Sequence, residues 1–206
     1  MTILIEPLKL LFTGVPGAAS TSVEQALEKL PNAVWIAPKH TTVDRLIEDG
    51  TISCEARKEL NTVCIVRNPY DHVHAEWFRS RTRWILEIDD PTTVGSWSEE
   101  KRKQIKFSAA MDFPTFVRAY YGSAFLSGKQ MYLYKRYTEF ATNIFKFEKL
   151  DEFAIWMKCL SGEDIFIETA NASPGRMDYW RDYDHGARQI ISSVFQPEIE
   201  QFTYNF

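Results

Sequence analysis

Three short segments of this chain carry residue types able to hold or move an anionic group: residues 10–22 (LLFTGVPGAASTS), Lys39-His40-Thr41-Thr42, and Arg67-Asn68. The first runs an apolar stretch into a turn containing Gly14 and Gly17, then into a helix start at Thr21-Ser22. Backbone N–H groups at such a helix start point at a bound anion, and the helix dipole favours negative charge there. Against the phosphate-loop pattern G-x-x-G-x-x-K-[ST], Gly14, Gly17 and Thr21 fit, and Ser20 stands where the lysine belongs. The loop can cradle phosphate but lacks its usual cation.

Hydrophobic periodicity supplies the elements that must position these segments. Residues 8–15 form a near-continuous apolar run; Val23, Ala26, Leu27 and Leu30 follow at helical spacing, and residues 33–37 are a second apolar run. That pattern is a β-α-β unit. Residues 41–60 read as short helices broken at Gly50, and residues 62–66 (TVCIV) as a central strand rich in β-branched side chains. Pro69 suits a helix start, and Tyr70, Val73, Trp77 and Trp84 then mark one buried face. Residues 87–110 lack core periodicity and read as a surface excursion. Helical spacing resumes at Phe113, Phe116, Val117 and Tyr120. Residues 143–147 suggest a fourth strand and 150–160 a helix. Ile191, Phe195, Ile199 and Phe202 line a helical pair interrupted at Pro197. The alternation predicts an α/β class: a single domain over residues 1–206 with a central parallel β-sheet flanked by helices.

In open parallel sheets ligands bind beyond the carboxyl ends of the strands. The three polar segments are predicted to follow three successive strands, so a phosphate-type loop, a histidine and an arginine would face one crevice, a constellation for moving or holding an anionic group. Plainer readings stay open for each part. His40 could be a structural or surface histidine, and Arg67 could pair with Asp71. His72 and His74, two apart on a helix, point to different faces and suggest no shared metal; His185 reads as solvated.

Composition narrows the partners. With 206 residues, 45% apolar and 25% charged, the chain can bury one sizeable core. A net charge of −4 gives no general pull toward nucleic acid or a membrane surface. Cys54, Cys64 and Cys159 have no disulfide or zinc spacing and read as reduced core thiols. No apolar run approaches the ~18 residues of a membrane helix, and no basic leader precedes Glu6, so a soluble, cytoplasmic protein is the expectation.

Ile65-Val66-Arg67-Asn68-Pro69-Tyr70-Asp71 resembles the V-R-N-P-Y-D motif of sulfotransferases that use 3′-phosphoadenosine 5′-phosphosulfate (PAPS), in the carbohydrate and bacterial branch. Lys39-His40-Thr41-Thr42 is similar to that branch's K-H-[ST]-T segment. Phe145-Lys146-Phe147-Glu148-Lys149-Leu150 resembles F-E-x-L, Asn171-Ala172-Ser173 with residues 179–184 resembles N-x-S and Y-x-x-Y-D, and the ending Phe202-Thr203-Tyr204-Asn205-Phe206 resembles F-G-Y-x-F. The resemblance spans nearly the whole chain in order. It implies a P-loop-like sulfotransferase fold and transfer of a sulfuryl group to a hydroxyl of a small-molecule or saccharide acceptor, with adenosine 3′,5′-bisphosphate as product and no metal. Membrane-anchored eukaryotic members carry a membrane segment that this sequence does not show, so the resemblance implies a bacterial or viral cytoplasmic origin.

By the same resemblance, Pro16, Gly17, Ala18, Ala19, Ser20, Thr21 and Ser22 would bind the 5′-phosphosulfate, Arg67 would bind the 3′-phosphate, and His40 would be the general base. An arginine fork meets phosphate oxygens bidentately and stays charged. An imidazole of pKa ~6.5 is well placed for proton transfer at neutral pH. The family loop reads P-K-x-G-x-T-S, so Gly17 replaces its lysine and Ala19 a glycine, while Ala75 replaces a serine that ligates the 3′-phosphate. Loss of one preorganised donor typically costs ~10²–10³ in rate. Lys39, beside His40, is the candidate substitute cation. Two alternatives remain: a degenerate fold that binds a nucleotide or glycan without turnover, and a phosphoryl-transfer enzyme, which would need a loop lysine and a Mg²⁺-holding carboxylate. Arg79, Arg81, Arg83, Lys101, Arg102, Lys103 and Lys106 suit either a rim for an anionic acceptor or a solvated charged face. Trp84, Trp97, Tyr120 and Tyr121 suit either stacking on an acceptor or the core.

Overall fold

The structure describes residues 2–206 apart from 91, 93–96, 169, 171–174 and 177, so the Asn171-Ala172-Ser173 segment lies outside the described residues. In this computed structural model the elements run β1 (Thr2–Ile5), β2 (Leu10–Phe12), α1 (Ser20–Leu27), β3 (Ala33–Ala37), α2 (Val43–Glu48), α3 (Cys54–Glu59) and β4 (Asn61–Val66). There follow α4 (Pro69–Arg79), α5 (Ile85–Glu87), α6 (Glu99–Ala110), α7 (Phe113–Leu126), α8 (Lys135–Thr138), β5 (Asn143–Lys146), α9 (Leu150–Ser161), α10 (His185–Val194) and α11 (Gln196–Gln201). The chain divides into two compact units, residues 1–67 with 134–172 and residues 68–133 with 173–206.

The first unit holds the whole sheet, in the order β3-β1-β2-β4-β5. β2, β4 and β5 are parallel, whereas β1 runs antiparallel to both its neighbours. The α/β class stands, but the expected central parallel sheet is corrected to a mixed one. Its cause is a strand that periodicity did not resolve. Thr2–Ile5 and Leu10–Phe12 form a tight hairpin, Ile3 opposite Phe12 and Ile5 opposite Leu10. A 3-10 turn at Glu6–Leu8 joins them, closed by Lys9 in the left-handed conformation (φ 49°). β3 pairs with β1, so the crossover through α1 spans one extra strand.

Leu10, Leu11, Phe12 and the β4 residues Val63, Cys64, Ile65 and Val66 are fully buried, as a strand pair covered on both faces requires. Successive side chains point to opposite faces. Leu11 packs with Val43 and Leu46 of α2 and with Ile52, while the Phe12 ring lies 6.5 Å from that of Phe153 on α9. Each such burial contributes about 1.5–3 kcal/mol, which holds firm the strand ends carrying the polar segments.

The second unit is helical, with α4, α7 and α10 packed around Tyr70, Val73, Trp77, Phe113, Phe116 and Phe195. Asn68 caps α4 by accepting from Tyr70 N at 3.1 Å, with Pro69 in the first turn. A π-helical turn, Ser80–Trp84, follows α4. Its wider geometry shifts the register, so Trp84 leaves the stripe of Tyr70, Val73 and Trp77 and packs against Trp97 at 6.0 Å. Within residues 87–110, read as a surface excursion, the structure has a helix, α6, which Ser98 caps. Ile105 is its one buried apolar residue, too little to register as a period.

Candidate functional site

The predicted phosphate-type loop is built in the first unit on the end of β2. Thr13 N donates to Val63 O at 3.0 Å, extending the β2–β4 ladder by one residue, and the chain then turns through Gly14 to Ala19. Gly17 (φ 76°) and Ala19 (φ 54°) are left-handed, and α1 starts at Ser20 with no side-chain cap. A helix start without a cap leaves N–H donors for other acceptors. Pro16 is exposed; Gly17, Ala19 and Thr21 are half-buried; Ala18, Ser20 and Ser22 are buried. Ser22 Oγ accepts from Ala170 N at 2.9 Å, and its hydroxyl hydrogen is still able to donate. Gly14 is tightly enclosed: a Cβ there would lie 2.6 Å from Glu24 Oε1 and 2.9 Å from Ser20 Cβ.

Lys39 and His40 stand at the corner of a turn after β3, closed by Thr41 N donating to Pro38 O at 3.4 Å. His40 is left-handed (φ 66°), a conformation that costs a non-glycine residue about 1 kcal/mol or more. The turn carries both side chains to the loop. His40 Nδ1 lies 2.6 Å from Gly14 O, and Tyr137 Oη, from α8, donates to His40 O at 3.2 Å. Lys39 Nζ lies 2.5 Å from Thr21 Oγ1 and 3.4 Å from Glu24 Oε2.

These contacts determine the charge states. Burial, helped by the Lys39 ammonium, holds the His40 imidazole below its ordinary value near 6.5; the bond to Gly14 O and the Glu24 carboxylate act in the opposite direction. The ring is therefore neutral at pH 7. Because Nδ1 faces a carbonyl, it carries the proton, which leaves the Nε2 lone pair to accept one.

Arg67, the last residue of the first unit, is 6% exposed. Its guanidinium donates to Gly17 O at 2.9 Å and lies 4.2 Å from the Phe147 ring centroid, while its carbonyl accepts from Tyr134 Oη at 2.7 Å. The cation is thus held between the loop and the Phe147 ring. No protein-family model, curated protein or solved structure matches the chain.

Sequence reasoning brought together the loop, Lys39, His40 and Arg67, and these do converge within one unit. It missed Glu24, Tyr137 and the role of Phe147. Glu24 had a visible signal: Ser20, Val23, Glu24 and Leu27 share the buried face of α1, and a carboxylate in such a stripe needs a partner. Tyr137 and Phe147 act through long-range contacts and had none.

The remaining candidates sort within their own units. Arg83, Lys101, Arg102, Lys103 and Lys106 pair with Glu87, Glu76, Asp89, Glu99 and Asp89, which suits a solvated charged face. Asp71 is held by Arg176. Tyr121 and Trp77 are core, and His185 is exposed. Cys64 alone of the three cysteines is buried, so the reading of core thiols is corrected for Cys54 and Cys159. Among the described residues no group of three His, Cys, Asp or Glu side chains is arranged to hold a metal, and no helix is long and apolar enough to cross a membrane.

Proposed function

We propose that this chain is a PAPS-dependent sulfotransferase of P-loop-like fold, which transfers a sulfuryl group to a hydroxyl of a saccharide or small molecule. One observation carries the reading. A neutral His40 and the Lys39 ammonium are both anchored on the same phosphate-type loop, His40 at Gly14 O and Lys39 at Thr21 Oγ1. Base and cation then flank the place where the loop would hold an anionic group.

The donor's chemistry fits the residues present: uncapped N–H groups at α1, the Thr21 and Ser22 hydroxyls, and Lys39 for the phosphosulfate. Arg67, whose guanidinium donates to Gly17 O beside the loop, would meet the 3′-phosphate through its planar fork. In the step itself, His40 Nε2 takes the acceptor's hydroxyl proton as that oxygen attacks sulfur, and the S–O bond to the 5′-phosphate breaks. Lys39 stabilises the negative charge that gathers on the departing oxygen. The resemblance segments also support the reading in the second unit, where Asn68 donates to Asn205 O at 2.8 Å and Tyr70, Tyr179, Tyr183 and Phe206 form one aromatic cluster.

Calorimetry with adenosine 3′,5′-bisphosphate and with ATP·Mg²⁺, alongside transfer of labelled sulfate from PAPS to a panel of hydroxyl acceptors, tests this. Preference for the bisphosphate and transfer abolished by His40→Ala are expected. Preference for ATP·Mg²⁺ refutes the reading. The Arg67 bond to Gly17 O and the glycine at position 17 favour one second reading, a fold that binds the nucleotide without turnover; bisphosphate binding with no transfer to any acceptor selects it.

A further inference from the structure

The sulfuryl-transfer reading leaves Glu24 without a task. Its carboxylate is 5% exposed, directly beside a loop expected to bind an anion, where its negative charge opposes the ligand. Its placement is accounted for once its partner is considered. Oε1 is pressed against Gly14, so the side chain is fixed in position, and Oε2 faces Lys39 Nζ at 3.4 Å. Thr21 and Glu24 lie three apart on α1 and present neighbouring side chains. Together they give the ammonium two anchors, the hydroxyl at 2.5 Å and the carboxylate.

A lysine on an exposed turn, with its flexible four-carbon stem, otherwise samples many rotamers. We infer that Glu24 is a positioning residue, which holds the Lys39 ammonium over Thr21 and so sets where that cation meets the anionic group of a bound nucleotide. The inference rests on the sulfuryl-transfer reading for the identity of the ligand. It does not rest on it for the Lys39 contact.

The test is a double-mutant cycle on the full chain, with Glu24→Gln, Lys39→Met and the two combined. One readout is the affinity for adenosine 3′,5′-bisphosphate; the other, without nucleotide, is the rate at which a trace acylating reagent labels Lys39, with the remaining lysines as internal controls. If Glu24 acts through Lys39, Glu24→Gln weakens binding about tenfold in the wild-type background and less than about twofold once Lys39 is Met. Labelling of Lys39 in Glu24→Gln rises several-fold over the control lysines. Equal losses in both backgrounds, or unchanged labelling, overturn the inference. A wild-type chain that fails to bind the bisphosphate removes the nucleotide reading, while the labelling still decides whether Glu24 holds Lys39. Should Glu24→Gln not fold, Thr21→Val leaves the carboxylate in place. Labelling near the wild-type rate there supports Glu24 as the anchor, and a several-fold rise assigns the hold to Thr21 and overturns it.

Discussion

Gly14→Ala is a one-methyl perturbation at the point where Glu24, Ser20 and His40 meet the loop. The added methyl would sit 2.6 Å from Glu24 Oε1 and 2.9 Å from Ser20 Cβ, against 3.4 Å or more for an ordinary contact, so the oxygen must retreat by 0.8 Å and the β-carbon by 0.5 Å. Neither moves easily. Ser20 Cβ is fixed to the first residue of α1, and Glu24 is packed at 5% exposure. Gly14 is outside the left-handed region, so packing alone carries the effect. Overpacking of this kind costs about 1–3 kcal/mol.

With a urea m-value of about 1–3 kcal/mol/M, the Gly14→Ala midpoint should fall by roughly 1 M with m unchanged. The displaced carboxylate also loosens Lys39, and the shifted Gly14 carbonyl loosens His40. Bisphosphate affinity should therefore fall together with stability. Adding Glu24→Ala removes the oxygen contact and leaves the Ser20 contact, so the double variant should be less destabilised than the sum of the single ones. A Gly14→Ala protein within about 0.5 kcal/mol of wild type, the range of a neutral surface change, would refute this packing, as would strict additivity with Glu24→Ala.

Other expectations follow from the backbone and from burial. His40→Gly should be about 1 kcal/mol more stable than His40→Ala in chemical denaturation, because only glycine is relaxed at φ 66°, though both lack the imidazole. Ala19→Gly should stabilise the chain by up to about 1 kcal/mol in the same assay, since residue 19 is left-handed. Gly17→Lys should cost about 1 kcal/mol at φ 76° and give no gain in transfer rate, which PAPS turnover would reveal. His74 donates from Nε2 to Asp182 and accepts on Nδ1 from Arg176 Nε; burial foremost holds its pKa below the ordinary 6.5, against the pull of Asp182. The unfolded chain then binds this proton more readily, so stability is full above 6.5 and is lost as pH falls from there toward the lower folded value; a melting temperature that rises on acidification through this range would refute it.

What was legible in the sequence followed from period and punctuation. Residues 33–37, 62–66 and 143–147 read as strands, and β3 (Ala33–Ala37), β4 (Asn61–Val66) and β5 (Asn143–Lys146) lie there. Pro69 and Pro197 mark helix starts for the same steric reason. Thr2–Ile5 was not legible because four residues separated from the next run by Glu6 and Pro7 carry too little pattern. The pairing of β3 with β1 is a long-range choice that no local period encodes. At the site, Lys39, His40 and Arg67 could be placed because each follows a strand. The atoms they meet could not: Gly14 O, Thr21 Oγ1 and Gly17 O belong to a loop whose shape depends on two left-handed residues.

That shape also connects the loop's missing lysine to the lysine found beside it. Left-handed geometry at Gly17 accompanies a carbonyl directed at Arg67, which a buried guanidinium resting on Phe147 can hold firmly. A lysine at position 17 would oppose that geometry, because its β-carbon crowds the backbone at φ 76°. A cation for the mouth of the loop must then come from another strand end. β3 is the source, but the hairpin places β1 between it and β2, two strand spacings of about 4.8 Å each. The turn after β3, left-handed at His40, brings Lys39 to Thr21 Oγ1 and His40 to Gly14 O. The absent loop lysine, the strained histidine and the buried Glu24 that receives Lys39 are on this account one structural solution. None of the three should be exchangeable without the others.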